Sequence, residues 1–447
     1  MTSTTLGATV SKVESSEDST YGGFDLFATP PTHTSVLKGE DESHLPVSGG
    51  SEERDIEFRV LGGKVYTDLA NSFLELEVKV VKLDGTDLPG VDNVAVWVGD
   101  NFAHSLFEKV TLRIGESDVE YVDKYPLRAF IDNAISFGKS SKENELAVSS
   151  GWVEEDVGKD GPDHGNASQL KRKALVAAST TQSFFMRPRL SMLSQSRFLY
   201  PGIDFSLKLT RTPASFALLA TDNNPADGAR ILITKAVYHV RRMIPNDSLF
   251  NAQAQNLLNG ATVKYPIDRV RVQFQTLAAG SSNFNLRLEH GKQLPNRVIV
   301  GLVREEALGG DYRYNPCAFK PYGLQTISLQ QDGLGGQIKF EPSFTTGAGL
   351  GRAYAKLASL IDRYDNPQPF GLFLDEWKSQ CNLYAFDFTG DLAHDDNFHL
   401  LSGGSLTLSL RFGAGLPQST IVVIYQEFDE LVQIDISRKV TMIGSAL

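Results

Sequence analysis

The chain has 447 residues, of which 41% are hydrophobic, 10% aromatic and 22% charged, with 39 Gly and 19 Pro; this profile excludes disordered and fibrous proteins. Lys and Arg number 43 against 54 Asp and Glu, a formal net charge of -11 that repels phosphate backbones and argues against direct nucleic-acid binding. At roughly 100–200 residues per domain, the length predicts two or three domains, each able to bury a core.

Residues 1–23 contain ten Ser and Thr and no continuous apolar run, which reads as a mobile arm and not as a signal peptide or membrane anchor. Beyond it, apolar and polar residues alternate with the period of a half-buried strand. Leu74, Leu76, Val78 and Val80 interleave with Glu75, Glu77 and Lys79, and Val110, Leu112 and Ile114 with Thr111 and Arg113. Behind Pro126, residues Leu127, Phe130, Ile131, Ala134 and Ile135 follow helical spacing up to Gly138. The excursion from Lys139 to Lys173 reads as an exposed loop, as does that from Ala214 to Ala229. Strand periodicity returns at Ile203–Leu209 and at Ile231–Val240, and a helix is expected over Ser248–Asn259, capped by Asn246 or Asp247 and stopped by Gly260.

The second half repeats this order. Val270, Val272 and Phe274 alternate, as do Phe284, Leu286 and Leu288; a strand at Ile327–Leu329 precedes a helix at Arg352–Tyr364; and Leu406–Phe412 with Thr420–Glu427 closes the unit. The longest apolar stretches, such as Val94–Val98 and Ile421–Tyr425, fall far short of the roughly 20 residues that cross a bilayer as a helix. The expected fold is all-β, two tandem eight-stranded antiparallel jelly rolls with a few short helices in loops. The arm covers 1–23, the first roll 24–244, a helical linker 245–262 and the second roll 263–447.

Chemistry is sparsely written. Cys317 and Cys381 lack metal-site or disulfide-framework spacing, which suits reducing surroundings. His394, Asp396 and His399 have the density of a divalent-metal site, but a polar loop between two strands, packed by Phe388, Leu392 and Phe398, is the favoured reading. Gly347, Gly349 and Gly351 precede a helix without the spacing of a phosphate cradle. The basic runs Lys171-Arg172-Lys173 and Arg241-Arg242 lack interleaved aromatics and read as solvated or acid-facing. Tyr312, Tyr314, Phe319 and Tyr322 resemble a subunit-interface or sugar-stacking surface, with core packing as the alternative. No nucleophile with a visible base occurs, so no catalysis and no cofactor are expected, and a carbohydrate-binding jelly roll is the reading from another functional class.

In order along the chain, Phe24-Asp-Leu-Phe-Ala-Thr-Pro-Pro31, Ile56-Glu-Phe58, Tyr66-Thr-Asp-Leu-Ala-Asn71, His104-Ser-Leu-Phe107 and Tyr125-Pro-Leu-Arg-Ala-Phe130 resemble the opening of the double-jelly-roll major capsid proteins of adintoviruses and Polinton (Maverick) elements. Lys264-Tyr-Pro-Ile267, Gln293-Leu-Pro-Asn-Arg-Val-Ile-Val-Gly-Leu302, Phe398-His-Leu400 and Tyr425-Gln-Glu-Phe-Asp429 continue it. The resemblance implies a hexon-like structural protein: a homotrimer forming pseudo-hexagonal capsomers of an icosahedral DNA-virus shell, alongside penton or minor capsid proteins. It also implies a place in the virion, without membrane insertion. The arm and the two long excursions carry no part of the resemblance.

Overall fold

The computed structural model describes residues 3–5, 8–10, 24, 26–27, 29–50, 52–153, 167–223, 228–291, 293–332, 336–365, 370–390, 392, 398–400 and 403–444. The first half supplies strands β1 (Val36–His44), β2 (Asp55–Val60), β3 (Tyr66–Val81), β4 (Phe107–Ile114), β5 (Ser117–Val122), β6 (Gln182–Met186), β7 (Phe205–Arg211) and β8 (Arg230–Pro245). They form two antiparallel sheets in the orders β1-β8-β3-β6 and β2-β7-β4-β5. The second half supplies β9 (Val263–Leu277), β10 (Asn283–Leu288), β11 (Arg297–Arg304), β12 (Leu324–Gln331), β13 (Gln337–Phe340), β14 (Leu383–Asp387), β15 (Leu406–Phe412) and β16 (Thr420–Ile434), with β17 (Val440–Ile443) added beside β16. Their sheets run β9-β16-β11-β14 and β10-β15-β12-β13. Counted within each half, both units read 1-8-3-6 and 2-7-4-5, the jelly-roll order, so the chain is a double jelly roll.

Alternation sets which face is buried. In β7, Phe205, Leu207 and Leu209 are buried while Lys208 is exposed, and β4 places Val110, Leu112 and Ile114 inward against them. In β16 the period breaks down: Ile421 to Gln426 are all buried; the strand is paired on both edges, with β9 and β11, and its Tyr425 hydroxyl reaches Asp132 of the helix Tyr125–Ser136.

The helices α1 (Tyr125–Ser136), α2 (Ala167–Ala174), α3 (Asp247–Leu258) and α4 (Leu350–Ser359) include the three expected from spacing. Helices α1 and α4 occupy equivalent places, between the fifth and sixth strands of their rolls. Asn246 caps α3 by accepting from the Ser248 N–H at 3.1 Å. Helix α4 ends five residues earlier than expected, because the chain reverses at Asp362 (φ 53°) and leaves Tyr364 59% exposed.

Three strands carry little sequence signal. β1 is mostly polar and exposed, and is held at the sheet edge partly by ion pairs of Asp41 with Arg241 and Glu42 with Arg242. β6 and β14 are only five residues each. The described part of the expected loop 139–173 is instead largely folded: residues 139–150 make successive helical turns, and the buried Lys142 ammonium donates to the carbonyls of Ala134 (2.7 Å) and Gly371 (2.9 Å). In the 214–229 excursion, Ala214–Ala217 forms a helical turn and Leu218–Ala220 pairs with Val96–Val98.

The two cores exchange parts. Leu127, Phe130, Ile131, Ala134 and Ile135 of α1, with Trp152, are buried in the core of the second roll. Reciprocally, Tyr265, Ile267, Val432, Ile434 and Val440 are buried in the core of the first. Phe130 stacks on Trp152 (centroids 5.3 Å, 13°) and meets Phe319 at 6.0 Å. Phe130→Ala should therefore cost about 3–5 kcal/mol, and hydrogen exchange should show protection lost first in β11 and β14 of the second roll, although residue 130 belongs to the first half of the sequence.

Candidate assembly site at the junction of the two rolls

The rolls are joined by polar groups withdrawn from water. Arg128 on α1, 2% exposed, ion-pairs with Glu120 of β5 at 2.6 Å and with Asp132, one turn along α1, at 3.6 Å, and donates to Ser191 Oγ at 2.9 Å. Burial opposes its charge, but Glu120 and Asp132 outweigh burial and strengthen its hold on the proton. The Tyr425 hydroxyl of β16 donates to Asp132 at 2.8 Å, crossing from one roll to the other. Further along, Ser191 and Gln195 donate to the carbonyls of Asp268 and Pro266, Arg197 donates to Lys264 O at 2.8 Å, and Tyr265 Oη accepts from Tyr200 N at 2.9 Å. The outer edge of β9 is thus partly stitched to the first roll. Pro266, which lacks an N–H, falls where a strand edge tolerates it.

Carboxylates accumulate beside this seam. Burial raises Glu427 to about 7, assisted by Asp268 and opposed by Arg297, whose guanidinium sits 3.8 Å from Glu427 and 3.6 Å from Asp387. Burial likewise raises Asp132 against the pull of Arg128.

The aromatic group 312–322 lies where the second roll touches the first. Tyr312 packs on the first core, its carbonyl accepts from Ala220 N at 2.8 Å, and nearby Asn315 donates to Asp100 at 2.6 Å. Tyr314 is flanked by the guanidiniums of Arg304 (4.1 Å) and Arg313 (5.3 Å). Tyr322 packs on the second core. Phe319 is completely buried there, which corrects its assignment to a contact between subunits: its surroundings are Phe130, Leu383 and the close backbone of Gly301. Of the four, Tyr312 meets the first roll, while Tyr314, Phe319 and Tyr322 have partners in the second roll or its core.

His394 and Asp396 lie outside the described residues. His399 is bound to Asp429, its N–H donating at 2.6 Å and its Nδ1 lying 3.0 Å from the same carboxylate. Among the described residues no group of three His, Cys, Asp or Glu side chains has metal-site geometry. Cys317 and Cys381 are both buried with thiol pKa values raised by burial. Gly349 adopts φ 73° at the start of α4, where a side chain would strike the Glu341 carbonyl.

In each basic run one arginine is withdrawn from solvent to face an acidic group of the chain itself, while Lys171 stays exposed. Arg172 is 1% exposed and ion-paired with Asp100, and Arg242 is 5% exposed and bound to Glu42, Thr67 and the Leu61 carbonyl. The signal missed from sequence was α1 as a plug: its helical pattern was legible, but not that its apolar face belongs to the other roll.

No protein-family model matches the sequence. A search of curated proteins gives an uncharacterized protein of Caenorhabditis elegans, F54H12.2, 24% identical over 353 residues, spanning 76% of this chain and 80% of that protein. Among solved structures, the fold is similar to a chain of the Sputnik virophage (TM-score 0.64, 9% identity, 100% of this chain and 95% of that one). It is also similar to VP54 of the virus PBCV-1 (0.60, 11%, 94% and 100%) and to the mavirus major capsid protein (0.56, 9%, 98% and 97%). The chain therefore has the double-jelly-roll fold of viral major capsid proteins over its whole described length.

The seam makes stability depend on pH in a defined direction. Glu427 has its pKa raised from 4.5 to about 7, so the folded state gains from the neutral acid below pH 4.5 and loses that gain as pH rises through 7. Glu427→Gln should raise the melting temperature at pH 8, by an amount equivalent to at most about 3 kcal/mol, and change it little at pH 4.5; equal shifts at both values would contradict this account.

Proposed function

We propose that this protein is a viral major capsid protein of the adintovirus or Polinton type, acting as a structural subunit of a virion shell and not as an enzyme. The observation that carries the reading is the same eight-strand order built twice in one chain and locked at a seam with exchanged core residues. Two similar lobes per chain allow three chains to present six lobes, so a homotrimer tiles hexagonal positions with one gene product. Closed symmetry also covers strand edges that would otherwise recruit other chains. The similarity to capsid proteins of PBCV-1 and mavirus supports the capsid role. A relative in a nematode supports an element resident in animal genomes.

On this reading the chain divides into an arm (1–23), a first roll (24–244), a linker with a short helix (245–262) and a second roll (263–447). Capsomers would meet one another and penton or minor capsid proteins around an icosahedral shell enclosing DNA. The net charge of -11 leaves neutralisation of that DNA to another protein, and no cofactor takes part.

Mass photometry of the purified protein should give a stable species at three times the 49.0 kDa chain mass; a monomer that binds a glycan instead would overturn the reading in favour of a carbohydrate-binding protein. Deleting residues 1–23 should leave trimers intact and reduce shells seen by electron microscopy, whereas loss of trimers would contradict the role given to the arm.

A further inference from the structure

A predominantly apolar cavity lies where β1, the 197–200 segment, α3 and the start of β9 converge. It measures about 560 Å³ and is walled by Tyr66, Phe198, Tyr200, Met243, Leu257 and Tyr265, a size and lining that suit an apolar guest. No Asp or Glu lines it among the described residues, while two cations, Arg197 and Lys264, stand exposed at it without a carboxylate partner. On a chain of net charge -11, an apolar crevice with a purely basic rim is a specific feature: it fits a guest that is apolar with one negative charge.

The chain itself contains such a guest. Phe24-Asp-Leu-Phe27 carries three large apolar side chains and one carboxylate, and Leu26 and Phe27 are 77% and 97% exposed, costly apolar surface unless something covers it. This segment lies just upstream of Ser35 and Val36, which line the crevice. It does not turn back into the crevice of its own chain. Thr29 and Pro30 each precede a proline, which holds them extended, and the Pro30-Pro31 pair makes a stiff spacer. Residues 29–34 are all exposed. Phe27 is tethered to Ser35 by eight residues, about 27 Å when extended, with a rod in the middle, and Leu26 and Phe27 stand in solvent.

We infer that the Phe24–Phe27 segment of one copy docks in the crevice beneath α3 of a second copy, its apolar side chains against Tyr66, Tyr200 and Leu257 and its carboxylate between Arg197 and Lys264. The inference rests on the assembly reading and names the contact by which copies are linked.

The chain's own cysteines are buried, at 2% exposure each, which leaves engineered thiols as the reactive ones. Phe27→Cys and Leu249→Cys, purified separately and mixed under mild oxidation, should give a dimer of twice the chain mass on a non-reducing gel, and neither variant alone should. In the double variant, a bond confined within one chain would overturn assignment to a second copy. Leu26→Ser/Phe27→Ser changes only exposed side chains, so its melting temperature should match wild type while the cross-link to Leu249→Cys, tested by adding Leu26→Ser to the Phe27→Cys arm, falls at least tenfold. An unchanged cross-link, no cross-link at all, or native mass spectrometry showing the crevice filled by a small amphiphile would each overturn the proposal. Wild-type trimer mass, read in parallel, reports on the capsid reading separately.

Discussion

A single guanidinium organises the seam on which the two-roll architecture depends. Arg128 is buried with Glu120 on one side and Asp132 on the other, and Asp132 in turn holds Tyr425 of the opposite roll. Buried ion pairs of this kind are weak sources of net stability but severe when broken, because the surviving charge has no water to return to. What Arg128 supplies is therefore relative placement. Helix α1 can present its apolar face to the second roll only while its polar face is anchored to β5 of the first, and the arginine joins these two demands on one helix. The carboxylates gathered beyond it, Glu427 above all, show the same environment from the acid side: a place too dry to ionise them at their ordinary pH.

Most of the fold was legible in the sequence, because a sheet with one buried face imposes period-two alternation and jelly-roll strands keep it. The equivalence of Val110–Ile114 with Ile327–Leu329, and of the helix behind Pro126 with the one near Arg352, could be read from element order, and the shared strand order accounts for it. What escaped was whatever tertiary context decides. β1 is polar because it is an edge held by charge pairs. Lys142 looks like a loop lysine, yet its ammonium is enclosed by two carbonyls from different parts of the chain. Arg172 and Arg242 look like exposed basic runs, but each meets a carboxylate distant in sequence. The aromatic group from Tyr312 to Tyr322 left interface and core packing open in the sequence, because only tertiary context decides which side chain goes where: Tyr312 packs on the first roll and Phe319 in the core of the second.

These internal pairings bear on function. Each cation consumed inside the fold removes a positive charge from the surface of an already acidic chain, so Arg172 and Arg242 are withdrawn from any patch for a phosphate backbone. The exposed cations at the crevice stand out against that background. The described molecule concentrates its specificity at a seam inside the chain, built from buried polar groups.

The exchange of core residues also fixes an order of events during synthesis. Helix α1 leaves the ribosome with the first roll, but the strands that receive its apolar face begin about 130 residues later at β9. At typical elongation rates that interval is roughly 6–25 s. Throughout it, Leu127, Phe130 and Ile131 wait beside a nearly finished sandwich with their receiving core still unmade. The first roll thus acts as a scaffold on which the second is cast, and the nascent chain is most vulnerable to aggregation halfway through its own translation.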